Sequence, residues 1–146
     1  MTLPLHLIII ACAFAGLGIA LYIHHKKRLH EPLVCPIGHA CDPVIHSRYS
    51  RFLDMPVELL GLIYYTIIVL SYLLFLMRPS FSVSAISIVA LSLSFVAFVF
   101  SLYLTAVQTF ILREWCTWCL ISAGLCAFIL FAGLELAGVH VMTISL

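Results

Sequence analysis

The sequence predicts an all-α integral membrane protein, a four-helix bundle with one long extramembrane loop between its first two helices. Three observations predict this class. Of 146 residues, 64% are hydrophobic and 9% are charged, against about 25% charged in a soluble domain. Four runs carry no Asp, Glu, Lys or Arg in their interiors, and each is near or above the ~20 helical residues that span a bilayer core. The alternating strands of about 10 residues that a barrel requires are absent, and lipid gives the backbone no hydrogen-bond partners, so the runs should be helical. The net charge of +1 offers no basic field for nucleic acid.

The first run, residues 3–23, holds only His6 as a titratable interruption. It lacks the basic start and small-residue cleavage pattern of a signal peptide, so a retained helix is expected. Residues 24–56 form the one connection long enough to hold structure of its own. Within it Ile45, Tyr49, Phe52 and Leu53 fall at helical spacing, which suggests a short amphipathic helix on the membrane surface. Pro56 suits the first turn of the next helix, expected over 57–77. Arg78-Pro79-Ser80 then makes a tight turn into a helix over 82–112. A second short turn leads to the last helix, over 115–138. The whole chain, 1–146, is one membrane domain.

Four of the six cysteines carry the chemistry. Cys116 and Cys119 enclose Thr117-Trp118 at the mouth of the last helix, where they share a face. Cys116 is expected in the first turn, where free backbone N–H groups and the helix dipole favour a thiolate. The thiolate is the attacking species in disulfide exchange. The alternative is a pair of inert buried thiols. Cys35 and Cys41 enclose Pro36-Ile37-Gly38-His39-Ala40, a turn-forming stretch that suits either a redox-active or a static disulfide. The loop follows one membrane crossing and Cys116 follows three, so both pairs lie on one face of the membrane. Cys12 and Cys126 stand alone in apolar helices and are expected to be structural. A zinc site built from the four paired cysteines and His39 is disfavoured, because one pair opens a membrane helix and the five-residue gap is unusual for zinc ligands. No metal is expected.

This ordered set resembles the vitamin K epoxide reductase family, especially its short bacterial members. The matching pattern is Cys35-x5-Cys41, Ser47-Arg48-Tyr49, Pro56 to Gly61, and Cys116-x2-Cys119, and it covers nearly the whole chain. The resemblance implies a four-helix bundle around a quinone, capped by the loop. It implies that Cys119 faces the quinone, that Cys116 exchanges with Cys41, and that Cys35 exchanges with a thioredoxin-like protein of the DsbA type. Ser47 matches a serine the family places near the loop cysteines. Only about a dozen residues follow the fourth helix, so the partner is expected to be a separate protein. Members that reduce vitamin K use an Asn and a Tyr where this chain has Val57 and Ala123. Neither residue here can donate a hydrogen bond to a quinone carbonyl, which argues against epoxide reduction. Trp115, Trp118, Phe110, Leu59, Leu60 and Ala123 are candidates for the quinone pocket, and helix packing or interfacial anchoring is the competing role for the aromatic and leucine residues among them.

A quinone is a stronger oxidant than most protein disulfides, and for two electrons ~30 mV corresponds to about 1.4 kcal/mol. The expected direction is therefore from partner dithiol to Cys35–Cys41, to Cys116–Cys119, and on to ubiquinone or menaquinone. Sidedness is in conflict. Lys26, Lys27, Arg28, Arg48, Arg51 and Arg113 lie on the cysteine face and Arg78 on the other, which by the positive-inside rule turns the cysteines to the cytoplasm. The resemblance implies a bacterial inner membrane with the cysteines facing the periplasm or exterior, where disulfides persist. The competing function classes are a thiol-based metal or mercury carrier, which would need cysteines along its path, and a structural membrane subunit.

Overall fold

The computed structural model describes residues 2–31, 48–78 and 85–145. Among them four helices are long and apolar enough to cross a membrane. The molecule is a four-helix membrane bundle.

The first helix, α1 (Thr2–Arg28), runs past the expected end at 23. Charge ends the membrane span but not the helix: His25, Lys26, Lys27 and Arg28 fill the last turn, where cations suit the negative end of the dipole. His30 takes a left-handed φ of 54°. Its N–H donates to Lys27 O at 3.3 Å, and Glu31 N–H donates to Lys26 O at 3.2 Å. This is a Schellman cap without glycine. A Lys26–Glu31 ion pair at 2.6 Å closes over the same span.

The described part of the connection contains no amphipathic helix reaching Leu53. One 3₁₀ turn, Arg48–Ser50, leads into β1 (Arg51–Phe52), which pairs antiparallel with β2 (Met55–Pro56). The two residues between them, Leu53 and Asp54, have φ of 52° and 64°. Two left-handed residues reverse the chain as tightly as a primed hairpin turn requires, and that reversal excludes a continuous helix. Asp accepts this conformation readily, and Leu53 adopts it with its side chain exposed. Val44 to Ser47 lie outside the described residues.

Pro56 caps α2 (Val57–Met77) from extended backbone, one residue before the helical turn in which it was expected. The third helix, α3 (Ala85–Ala106), ends in a π-helical segment, Val107–Leu112. Arg113, at φ 52°, turns the chain out of it. The last helix, α4 (Thr117–Ser145), starts two residues later than 115 and runs beyond 138.

α1 packs along α2, and α4 packs against both α1 and α3. Their common core holds Ile9, Ala13, Tyr65, Ile68 and Ile129, all within 1% of full burial. Gly16 lets α1 approach the Tyr65 ring, since a Cβ there would overlap it. Large apolar side chains such as Ile88, Phe95 and Phe131 face outward, as lipid-facing positions do, because lipid is no less apolar than a helix neighbour.

Candidate redox site

Cys116 sits one residue before α4, at its N-cap, rather than in the first turn. Its carbonyl accepts the first helical hydrogen bond, from Leu120 N–H at 3.0 Å. Its sulfur accepts from Cys119 N–H at 3.4 Å. The sulfur thus occupies the place that a Ser or Asp oxygen takes in an ordinary N-cap, at the positive end of the helix dipole. A hydrogen bond from the Cys119 thiol pulls the Cys116 thiol below its usual range, and the backbone N–H groups of Cys119 and Trp118 add to this against the opposing effect of burial. Cys116 is fully buried against Ile23, and both cysteines of the pair are free thiols.

Cys119, one turn further on, opens onto an apolar cavity of about 490 Å³. The volume is in the range of small-molecule sites. Ile19 and Ile23 of α1, Tyr65 of α2, Phe100 of α3 and Phe52 of the hairpin form part of its walls. Phe52 meets Phe100 with ring centroids 5.3 Å apart. Of the six candidate pocket residues, Leu60 and Ala123 line the cavity together with Cys119. Leu59, Phe110, Trp115 and Trp118 are not among its lining residues. Phe110 is 77% exposed, on the outer side of the bundle, and Trp118 packs on Tyr22 with centroids 5.3 Å apart. Cys35, Cys41 and Ser47 lie outside the described residues.

Several polar groups that sequence reasoning passed over belong to the cavity. Tyr65 OH donates to Ser122 O at 2.9 Å and lies 3.3 Å from Cys126 Sγ. Cys126, expected to be structural, is buried and also lines the cavity. Tyr64 OH donates to Ser94 Oγ at 3.3 Å. Gln108 Oε1 accepts from Cys116 N–H at 3.2 Å. At the mouth, Glu58 has a side chain only 6% exposed, 3.3 Å from Lys27 Nζ and 3.9 Å from His24 Nδ1. Lys27 also donates to Ser50 Oγ at 3.4 Å, tying α1, α2 and the turn before the hairpin together. The sequence signal for Glu58 was its place as the acidic residue in the first turn of a membrane helix. Among the described residues, no three His, Cys, Asp or Glu side chains converge on a point that would hold a metal ion.

A pair of free cysteines at the mouth of a membrane helix, with one sulfur at the cap and the other on an apolar cavity, suits a membrane thiol oxidoreductase. The model of the vitamin K epoxide reductase family matches residues 7–134, and the chain belongs to that family. No curated protein matches it at a significant level.

Proposed function

We propose that this protein is a quinone-dependent, disulfide-generating oxidoreductase of the membrane. Electrons enter from a separate thioredoxin-like protein of the DsbA type, pass through Cys35–Cys41 to Cys116–Cys119, and leave to ubiquinone or menaquinone. The carrying observation is the division of labour within the CxxC: Cys116 lies at the helix cap with a lowered thiol pKa, while Cys119 opens onto the cavity. An exchanging thiolate belongs on the first and a sulfur that meets a membrane-soluble oxidant on the second. The balance closes. The partner dithiol loses two electrons and two protons on forming its disulfide, and the quinone takes up two of each on becoming a quinol. Apolar walls, a volume of about 490 Å³ and the hydrogen-bonding groups of its lining fit a quinone ring.

Purified protein supplied with a reduced thioredoxin-like substrate should reduce ubiquinone or menaquinone, and Cys119→Ser should not. Undiminished quinone reduction by that variant would sink the mechanism. The cysteine face is read as exterior. Two of its basic residues are compensated, Lys26 by Glu31 and Lys27 by Glu58, which weakens the charge argument for the opposite orientation. After reduction, Cys35 should react with a membrane-impermeant thiol reagent in intact cells. Labelling that appears only after lysis reverses the orientation.

A further inference from the structure

We propose that Gln108 is the polar contact of the cavity, its carboxamide oxygen holding the backbone of Cys116 and its NH₂ group donating to a quinone carbonyl. The inference rests on the quinone reading above and adds a residue to it. Gln108 is the only carboxamide in the chain. It is 4% exposed, yet it lines the cavity. It sits in the π-helical segment that ends α3, and such insertions re-aim side chains and concentrate at functional sites.

The orientation of the carboxamide follows from its partner. The Cys116 N–H can only donate, so the atom 3.2 Å from it must be the carboxamide oxygen. The NH₂ group is the other end of the same planar unit, and among the described residues it has no partner. Gln108 lines the cavity, where its NH₂ group can meet a ligand, and a quinone carbonyl is an acceptor only. The other hydroxyls of the wall with fixed partners are turned elsewhere: Tyr64 to Ser94, Tyr65 to Ser122, and Thr105 to Ser101 O at 2.8 Å. Val57 and Ala123 contribute no donor. One carboxamide therefore touches the N-cap of the dithiol helix at one end and the ligand at the other, so quinone binding and the placement of Cys116 are linked through it.

The test is binding of a short-chain ubiquinone, isotope-labelled at its carbonyl carbons, to the purified full-length protein, read by calorimetry and by infrared difference spectroscopy. Gln108→Met, similar in length and without an N–H donor, should bind about tenfold more weakly. Its carbonyl band should move to higher frequency than in the native protein, a readout that a merely structural role would leave unchanged. Gln108→Glu keeps an acceptor for Cys116 N–H and should bind more tightly at acidic than at alkaline pH, because only the protonated carboxyl donates. This second variant keeps the idea testable if the first does not fold. Thr66→Val, which removes a hydroxyl on the exposed face of α2 that bonds Leu62 O, should bind normally. An unchanged carbonyl band in Gln108→Met, or a loss of binding in Thr66→Val as large as that in Gln108→Met, overturns the proposal. Absence of quinone binding by the native protein would instead overturn the functional reading on which it rests.

Discussion

The bundle has two unlike halves. Away from the Cys116–Cys119 pair, α1, α2 and α4 close over Ile9, Ala13, Ile68, Phe75 and Ile129 in one continuous buried cluster. Toward the cysteines the same helices diverge around a cavity of about 490 Å³, and the remaining buried cluster shrinks to Ile23 and Cys116. Tyr65 stands at the boundary. Its ring is 1% exposed and packs against Gly16, while its hydroxyl reaches Ser122 and Cys126 on the cavity wall. In lipid, apolar burial gives helices little reason to associate, so close packing must hold them. The far half supplies that packing, and the cysteine half is thereby free to leave space for a ligand. Substitutions in the two halves should accordingly separate stability from chemistry.

The largest effect is expected at Cys119. Cys119→Ser should lose quinone reduction altogether while leaving the thermal midpoint in detergent nearly unchanged, because the side chain borders the cavity and not the packed half. A large drop in the midpoint would mean that the halves are not separable. Next comes the packed half. Gly16→Ala drives a methyl group into the Tyr65 ring, which cannot swing away without breaking its bond to Ser122, and should cost about 1–3 kcal/mol. Ile129→Ala should cost about 2–3 kcal/mol, toward the low end for such truncations. The transfer term is small when the reference state is lipid, and mainly lost dispersion contacts remain. In both variants the folded fraction should keep the native affinity for quinone, and a specific loss of affinity would contradict the division.

The ion pair at the cavity mouth tests the boundary from the aqueous side. Removing a partner from a buried pair strands the other charge, and Glu58 is the more deeply buried member. Lys27→Met should therefore destabilise the protein by about 2 kcal/mol, and more than Glu58→Gln does, by unfolding in detergent. Equal effects would show that the pair behaves as a solvated surface bridge. Ala123→Phe, on the cavity wall, is expected to raise the quinone KM about tenfold, close to 1.4 kcal/mol, without loss of thermal stability. A stability loss like that of Gly16→Ala would mean the cavity is packed core.

Much of this arrangement is legible in the residues. The four spans follow from runs free of charge, and the dithiol at a helix mouth follows from Cys116-x2-Cys119. The helix ends are less legible, because charge ends an apolar run without ending a helix: His24 to Arg28 continue α1 past the apolar run. The spacing of Tyr49, Phe52 and Leu53 imitates a helix, but two left-handed residues make a hairpin there, and neither is a glycine or an asparagine that would have signalled it. Phe110, Trp115 and Trp118 stand outside the cavity lining, in keeping with the packing or anchoring role that the sequence also allows them. Phe110 follows the change of helical pitch at Val107, so a regular α-helical wheel assigns its direction wrongly. The sign that was present is chemical: a lone carboxamide, Gln108, in a run otherwise without strongly polar side chains.

The smallest expected effect concerns Cys116 itself and separates the two sulfurs of one motif. The hydrogen bond from the Cys119 thiol, helped by the two backbone N–H groups, lowers the Cys116 pKa. Alkylation of Cys116 in the reduced protein should therefore persist to lower pH than that of an ordinary thiol, whose pKa is near ~8.5. Cys119→Ala removes the largest contribution and should move the alkylation midpoint up, while the N-cap contacts with Cys119 N–H and Leu120 N–H remain. The linkage has a definite sign. A thiol whose pKa is lowered by folding adds stability that is complete above the unfolded value and is lost as the pH falls through the folded one. The reduced native protein should thus gain stability over Cys119→Ala as the pH rises from acid toward ~8.5, and this difference should vanish in acid. An alkylation midpoint that is the same in both proteins would place the thiolate preference in the helix dipole alone and remove the coupling between the sulfur at the cap and the sulfur on the cavity.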